Sequence, residues 1–453
     1  MRRALRYRVM IMAIATALTT FLIVGSVAGC AQSNSKSSSS SEQPEAVESS
    51  DTEESDSDSQ LPAIEMSEIH SSLGMAATQF GFDLFAEVLN TEGNTENRLL
   101  SPSSVAFALM MTYNGAAAET QDAIAATLRL PDLDPAAVNA AYRDVLTYLE
   151  QPSEEVEVAI ANSLWVRQEV ELKPEFVESM QTSFDAEIAA MDFEAADTPD
   201  TINAWVSEQT NGKIPSIVES IDPDLVLLII NAVYFNGDWR FAFDPDQTSD
   251  RPFTLLNGSQ IDRPLMSQSH SFDYFETDQL QAIRLPYGSN SRNSEESEMP
   301  TPRIGMTVLL PSESLTWEEF LTLLTAENWN TWQTQFSNQD GRIELPRFKI
   351  EDQMPLNDPL KALGMAIAFD AEAADFSNLS DLSTMISQVQ HRTFIDVTEE
   401  GTEAAATTSV GISITSVQEP STPFEMTVDH PFAFAISDTS TQTLLFLGTV
   451  TEP

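Results

Sequence analysis

Apolar positions between 66 and 250 recur with two different periods. Ile69, Leu73, Ala76, Ala77, Phe80, Leu84 and Val88 fall three and four residues apart, the spacing of one face of a helix. Ser101-Pro102 predicts another helix start, serine as cap and proline in the first turn, continued by Val105, Leu109 and Thr112 to Gly115. Val156, Val158, Ile160, Asn162 and Leu164 alternate with Glu157, Ala159, Ala161 and Ser163, which predicts a half-buried strand. Leu225 to Phe235 is apolar at both parities, so it is expected to be a central strand covered on both sides. Ala282–Tyr287 and Ile304–Leu310 read as strands joined by the polar loop 288–303. Helices dominate the first half and strands the second, an order that predicts an α+β fold.

The most informative stretch runs from Glu399 to Glu419. One parity is Thr402, Ala404, Ala406, Thr408, Val410, Ile412 and Ile414; the other is Glu403, Ala405, Thr407, Ser409, Gly411, Ser413 and Thr415. The first set is small, then β-branched and apolar; the second is polar or small. This is the alternation of a strand with one buried face. Two readings fit it: a permanent sheet strand, or a segment that waits as a loop and later inserts into a sheet. The small residues after Gly401 suit insertion, because a strand entering a packed sheet has to find room. Burying Val410, Ile412 and Ile414 would gain about 1.5–3 kcal/mol each.

Charge and composition narrow the chemistry. The 453 residues include 22 Lys plus Arg against 70 Asp plus Glu, a formal charge of −48. Nucleic-acid binding needs clustered cations, so no nucleic-acid partner is expected. One cysteine, Cys30, excludes an intrachain disulfide and a CxxC metal site. Four histidines, His70, His270, His391 and His430, leave little for metal or Ser/His/Asp chemistry; His70 and His270 are expected at the surface and His430 in a structural role. No GxSxG-type elbow supports a hydrolase. No cofactor, no metal and no catalytic residue are expected.

The amino terminus reads as an address. Arg2, Arg3, Arg6 and Arg8 precede an apolar stretch from Val9 to Val24, too short to span a membrane comfortably, and then Val27-Ala28-Gly29-Cys30. The last four residues resemble a bacterial lipobox, which implies a signal peptide over 1–29, lipidation of Cys30 and tethering at the cell envelope. Without an aspartate after Cys30, the tether implied is to the outer membrane if the host is Gram-negative, and otherwise extracellular. Residues 30–65 carry nine acids and a single base, Lys36, with no apolar periodicity, as a solvated acidic, Ser-rich linker would. Residues 66–453 contain no second such linker and are expected to fold as one domain.

Several blocks of that domain resemble the serpin family. Leu100-Ser-Pro-Ser-Ser104 and Asn114-Gly-Ala-Ala-Ala-Glu-Thr120 are similar to the family's second helix and its exit. Ile202-Asn-Ala-Trp-Val206, Thr210-Asn-Gly-Lys-Ile214 and Asn231-Ala-Val-Tyr-Phe-Asn-Gly-Asp-Trp239 follow. Ala374-Asp-Phe-Ser377, the hinge Glu399–Thr408, Asp429-His-Pro-Phe432 and Phe446-Leu-Gly448 complete the family's order. Ala433, where serpins usually carry a larger apolar residue, is a small departure.

The resemblance implies a large central mixed β-sheet, additional sheets, about eight or nine helices and a mobile reactive-centre loop. It implies a monomer that inhibits serine proteases as a suicide substrate. The protease is trapped as a covalent acyl-enzyme when the cleaved loop inserts into the central sheet and the displaced active site is distorted. Glu399, Gly401, Thr402, Ala404, Ala405, Ala406 and Thr408 would form the hinge, which is uncharged on its inserting face as inhibitors require. The reactive bond would be Thr415-Ser416, with Ile414 or Val417 as alternatives. No Lys or Arg lies between Gly401 and Phe432, which favours elastase-like or subtilisin-like enzymes with shallow apolar pockets. Ser101, Ser104, Asn231 and His391 would form the shutter, where the sheet opens, and Trp239 the breach, where the loop first enters. The alternative within the family is a non-inhibitory member acting as a binding or carrier protein.

Overall fold

The computed structural model describes residues 68–131, 133–150, 155–289, 303–402 and 423–453. Nine α-helices lie among them. They are α1 (Glu68–Glu92), α2 (Pro102–Gly115), α3 (Ala118–Thr127), α4 (Pro135–Leu149), α5 (Pro174–Phe184) and α6 (Thr198–Gln209) in the first half. The later three, α7 (Trp317–Leu321), α8 (Ala326–Gln333) and α9 (Asn357–Leu360), are short. The periodic segment beginning at Ile69 is α1, and the Ser-Pro start at 101–102 opens α2, which ends at Gly115 as expected. Ser101 holds the cap position by backbone only; its side chain makes no capping bond.

Fifteen strands among the described residues, numbered along the chain, form two sheets. The first contains β2 (Val156–Arg167), β3 (Glu187–Met191), β4 (Leu227–Asp238), β10 (Phe348–Pro355), β11 (Ile386–Val397) and β12 (Gly401–Thr402) in the order β10-β11-β12-β4-β2-β3. It is mixed: β4 runs antiparallel to β2 but parallel to β11. The second sheet follows the path β1-β15-β14-β8-β7-β6-β9-β13, with β5 paired to β6. Its members are β1 (Arg98–Leu100), β5 (Ser249–Thr254), β6 (Gln260–Glu276), β7 (Leu280–Pro286), β8 (Ile304–Pro311), β9 (Ser337–Pro346), β13 (Phe424–Thr427), β14 (Phe432–Asp438) and β15 (Thr443–Val450).

The two faces of the first sheet bury different clusters. Leu227, Ile229, Val233 and Phe235 of β4 join a large core shared with Val308, Phe434 and Phe446 of the second sheet. Leu228, Ile230, Ala232 and Tyr234 face a smaller cluster completed by Ile202 and Val206 of α6. That double cover is why the 225–235 run is apolar at both parities. It also corrects one expectation: β2 is half-buried only at its start, because Ala159 and Ala161, small enough to be read as the exposed parity, pack into the α6 cluster. His70, expected at the surface, is 7% exposed and lies 3.7 Å from the Asp144 carboxylate. His270 is exposed and stacks on Phe241 at 4.0 Å. His430 is half-buried, with its ring nitrogens 2.9 Å from Asp429 Oδ1 and from the Pro311 carbonyl.

Candidate hinge and shutter in the first sheet

Strands β4 and β11 are paired directly, without an intervening strand, from Ile386↔Leu227 to Phe394↔Tyr234. Beyond that point they separate, and β12 fills the gap. Gly401 and Thr402 pair antiparallel with Asp238 and Gly237 of β4, and Thr402 pairs with Val397 of β11. The chain reverses through a tight turn in which the Thr398 N–H donates to the Gly401 carbonyl at 2.8 Å. Gly401 is required by proximity: a Cβ there would lie 2.1 Å from the Gly237 carbonyl oxygen.

Three groups of side chains hold this hinge. Thr402 is fully buried, and its Oγ1 lies 2.7 Å from the Tyr287 hydroxyl. Tyr287 stacks on Trp239 with centroids 4.4 Å apart and planes at 11°. Trp239 in turn donates from Nε1 to the Thr398 carbonyl and from its backbone N–H to the Glu400 carbonyl, both at 2.9 Å. The Glu399 carboxylate accepts from the Arg347 guanidinium and the Thr248 hydroxyl. Burial pushes the Glu399 carboxyl up, but these bonds together outweigh it and hold the group below the usual carboxylate range. On the opposite face, burial and then the charges of Glu155 and Glu400 push the Asp238 carboxyl up.

Lower in the sheet, the β4–β11 seam is fastened by a buried polar cluster. Asn231 and His391 are register partners, 1% and 0% exposed, and His391 Nδ1 lies 2.6 Å from Asn231 Oδ1. The Ser101 backbone N–H donates to His391 Nε2 at 3.0 Å, so Nε2 carries no hydrogen and Nδ1 donates to the asparagine. Asn231 Nδ2 faces Asn162 Oδ1 at 2.6 Å, the Ser104 carbonyl at 3.1 Å and the Ser104 hydroxyl. Burial depresses the His391 pKa to about 3, keeping the ring neutral at physiological pH.

Ser104, Asn231 and His391, singled out in the sequence as a shutter, therefore meet in space, and Trp239 lies against the hinge. Ser101 contributes its backbone N–H; its Oγ has no hydrogen-bond partner among the described residues. Four participants escaped the sequence reading. Asn162 carried a signal, a polar side chain in an otherwise apolar parity. Tyr287, Arg347 and Thr248 carried none, since only the fold brings them to the hinge. Ala404, Ala405, Ala406, Thr408, Ile414, Thr415, Ser416 and Val417 lie outside the described residues, as does Cys30.

The sequence profile described as Serpin (serine protease inhibitor) matches residues 75–453. The chain belongs to the serpin family. It is 35% identical over 382 residues to a serpin-like protein of Thermococcus kodakarensis, covering 83% of this chain and 85% of that one. It is 32% identical over 401 residues to the leukocyte elastase inhibitor of Xenopus laevis, covering 84% and 99%. Among solved structures, the serpin resembles the thermophilic serpin tengpin in its native state, with a TM-score of 0.75, 30% identity and coverage of 86% and 95%. Human thyroxine-binding globulin complexed with thyroxine superposes with a TM-score of 0.75 at 24% identity over 85% and 99% of the chains, a likeness of fold. The α+β architecture expected from the sequence is the serpin fold. Serpins are most often protease inhibitors and not enzymes.

Proposed function

We propose that this serpin inhibits serine proteases by trapping them as acyl-enzymes, the cleaved loop after Thr402 inserting between β4 and β11. The observation that carries this reading is the register of β12. Continued downward from Gly401↔Asp238 and Thr402↔Gly237, it would set Ala404, Ala406, Val410 and Ile412 level with Phe235, Val233, Ile229 and Leu227. Opposed residues of an antiparallel pair point to the same face, and those four β4 residues line the large core. The other parity, Ala405, Thr407, Ser409 and Gly411, would face the cluster under α6 with Tyr234, Ala232, Ile230 and Leu228. The loop sequence therefore matches the two faces of β4 over the whole strand: small or β-branched side chains on the core face, small or polar ones on the other.

The two flanking registers converge on one position. Extended from the β4 side and from the β11 side alike, they bring Thr408 level with both Asn231 and His391. Insertion at that row would part the 2.6 Å His391–Asn231 bond. The Thr408 hydroxyl, able to donate and accept, is suited to take its place. The described part of β4 starts at Leu227, which would pair with residue 412. Cleavage at Thr415-Ser416, or after Ile414 or Val417, would then leave the acyl group just past the end of the sheet.

Residues without cationic side chains around the bond favour elastase-like or subtilisin-like targets. The lipobox-like run ending at Cys30 supports envelope tethering, so the guarded proteases would be extracellular or periplasmic; Cys30→Ser should release the protein from membranes. The deciding test is incubation with an elastase-like and a subtilisin-like enzyme. An SDS-resistant adduct, with the cut mapped by mass spectrometry to 414–417, supports trapping. Clean turnover of the loop would instead favour a non-inhibitory binding or carrier role.

A further inference from the structure

Three chain segments enclose an open groove of about 1100 Å³: the β5–β6 turn, the connection from β8 to α7, and residues 429–431 ahead of β14. Its walls are tied together at the base. The Thr254 N–H donates to the Asp429 carbonyl at 2.7 Å, and His430 Nε2 lies 2.9 Å from the Pro311 carbonyl. Trp317, buried along the groove, is fixed by a bond from its Nε1 to the Asn94 carbonyl at 2.8 Å. A groove braced in this way is formed before any partner arrives, which lowers the ordering cost of binding. Leu255, Leu256, Leu315 and Trp317 give it an apolar surface, with Leu256 39% exposed. Glu313, Glu318, Asp429 and Glu452 give it acids, and no lysine or arginine is among the described residues that line it. Two of the acids are paired, Asp429 with His430 and Glu452 with Arg263 at 3.0 Å. Glu319, next along α7, is engaged in a capping box with Thr316, but Glu313 and Glu318 make no ion pair among the described residues.

His430 shows which charge the groove favours. Its Nδ1 faces the Asp429 carboxylate and its Nε2 a carbonyl; both are acceptors, so only the imidazolium, with two N–H groups, satisfies both. Burial pushes the His430 pKa down, but Asp429, the Pro311 carbonyl and Glu313 together outweigh it and hold the ring above its usual range. We propose that this groove docks a basic, extended peptide segment of a partner. Its apolar side chains would lie against Leu255, Leu256 and Leu315, and two of its Lys or Arg side chains would meet Glu313 and Glu318. Charge argues against two other occupants. The chain's own 30–65 segment carries nine acids and a single base, and a second copy brings the same net negative charge. This docking does not depend on loop insertion.

The probe is a fluorescein-labelled Lys-Leu-Lys-Leu-Lys peptide, titrated with the full chain at low ionic strength and followed by fluorescence anisotropy. Because the whole protein is acidic, the test has to be positional. Glu313→Gln/Glu318→Gln should lose about tenfold in affinity, and Leu256→Ser about threefold. Glu175→Gln/Glu178→Gln removes the same charge from exposed sites on α5, outside the groove, and should change affinity by less than about twofold. All of these positions are exposed, so each variant should keep the wild-type melting temperature. Equal losses in the two Glu pairs, or no loss in the groove pair, would show only a general attraction to an acidic protein and overturn the site. A Ser-Leu-Ser-Leu-Ser peptide should bind about tenfold more weakly than the lysine peptide, and equal binding would overturn the basic partner in favour of an apolar one. Self-association of the wild type that is lost in Leu256→Ser would assign the groove to a second copy and likewise overturn the proposal.

Discussion

Thr402→Arg puts the insertion mechanism at risk most directly. Thr402 is wholly buried, wedged between Val397 and Gly237, with its hydroxyl against Tyr287. Its side chain points to the core face; the nearby acids do not help a guanidinium there, because Asp238 is paired with Gly401 and so points to the other face. Burying an unpaired charge costs several kcal/mol even after relaxation. The uncut protein escapes that cost by leaving the hinge out of the sheet, but the inserting loop must pass through it. If about 3 kcal/mol of it appears in the barrier, insertion slows by about 100-fold. Trapping and deacylation compete for the same acyl-enzyme, so the ratio of loops turned over to proteases trapped should rise about 100-fold: a wild type that loses about one loop in ten to turnover should become a variant that consumes on the order of ten per protease.

The assay is a titration of residual protease activity against the molar ratio of serpin, with the products separated on a denaturing gel. Thr402→Ser, which keeps the hydroxyl and the volume below that of threonine, should behave as the wild type. A Thr402→Arg protein that still traps near one to one would refute the placement of the hinge in this gap.

Three further perturbations test the same region. His391 is held neutral at about 3 against an ordinary 6.5, so the unfolded chain binds the extra proton; stability is complete above about pH 6.5 and declines as the pH falls. By pH 4 the loss should reach about 3 kcal/mol in urea melts of the uncut protein, and His391→Gln should flatten that part of the pH profile. Gly401→Ala places a methyl group on the Gly237 carbonyl, so the hinge should leave the sheet, visible as faster amide exchange at Thr402 than in the wild type. Arg347→Ala leaves the buried Glu399 carboxylate with Thr248 alone; because Arg347 is itself half-exposed, the loss should be about 1–2 kcal/mol rather than that of a fully buried pair, measured by urea melts.

The sequence disclosed those parts of the fold whose cause is local. Strand β4 showed itself because both its faces are covered, and α1 because one of its faces is. Asn231 stood out as an amide in the middle of an apolar run, and Gly401 as the flexible residue before a run of alanines. What stayed hidden depends on contacts between distant segments. Nothing near Tyr287 says that its hydroxyl meets Thr402, 115 residues away, and nothing near Arg347 points to Glu399. His70 was misjudged because a lone histidine shows no partner in sequence, whereas the fold supplies Asp144 from another helix. The outer parity of β2 was misjudged because Ala159 and Ala161 are small. They are small because α6 lies directly over them, and their size carries no sign of that cover.

On the proposed mechanism the seam must open once and stay shut until then, a problem that apolar packing alone solves badly. Dispersion between β4 and β11 is spread over many weak contacts, and parting them stepwise gives no threshold. The Asn231–His391 bond concentrates part of the closure at one row. Breaking it without a replacement strands a buried amide and an imidazole, at about 1–3 kcal/mol for each unsatisfied group. A thermal fluctuation that opens the seam meets that cost in full. An inserting loop that brings a hydroxyl to the same row meets it only in passing, because Thr408 can satisfy both partners once it arrives. The cluster would thus discriminate between opening and insertion, and replacing Thr408 with valine should test it. Valine keeps the shape and β-branching but offers neither partner a hydrogen bond. The cleaved, inserted form should lose about 2 kcal/mol of stability while the uncut protein is unchanged. An equal loss in both states would mean that Thr408 already bonds elsewhere before cleavage, and no loss in either that the register of β12 does not continue.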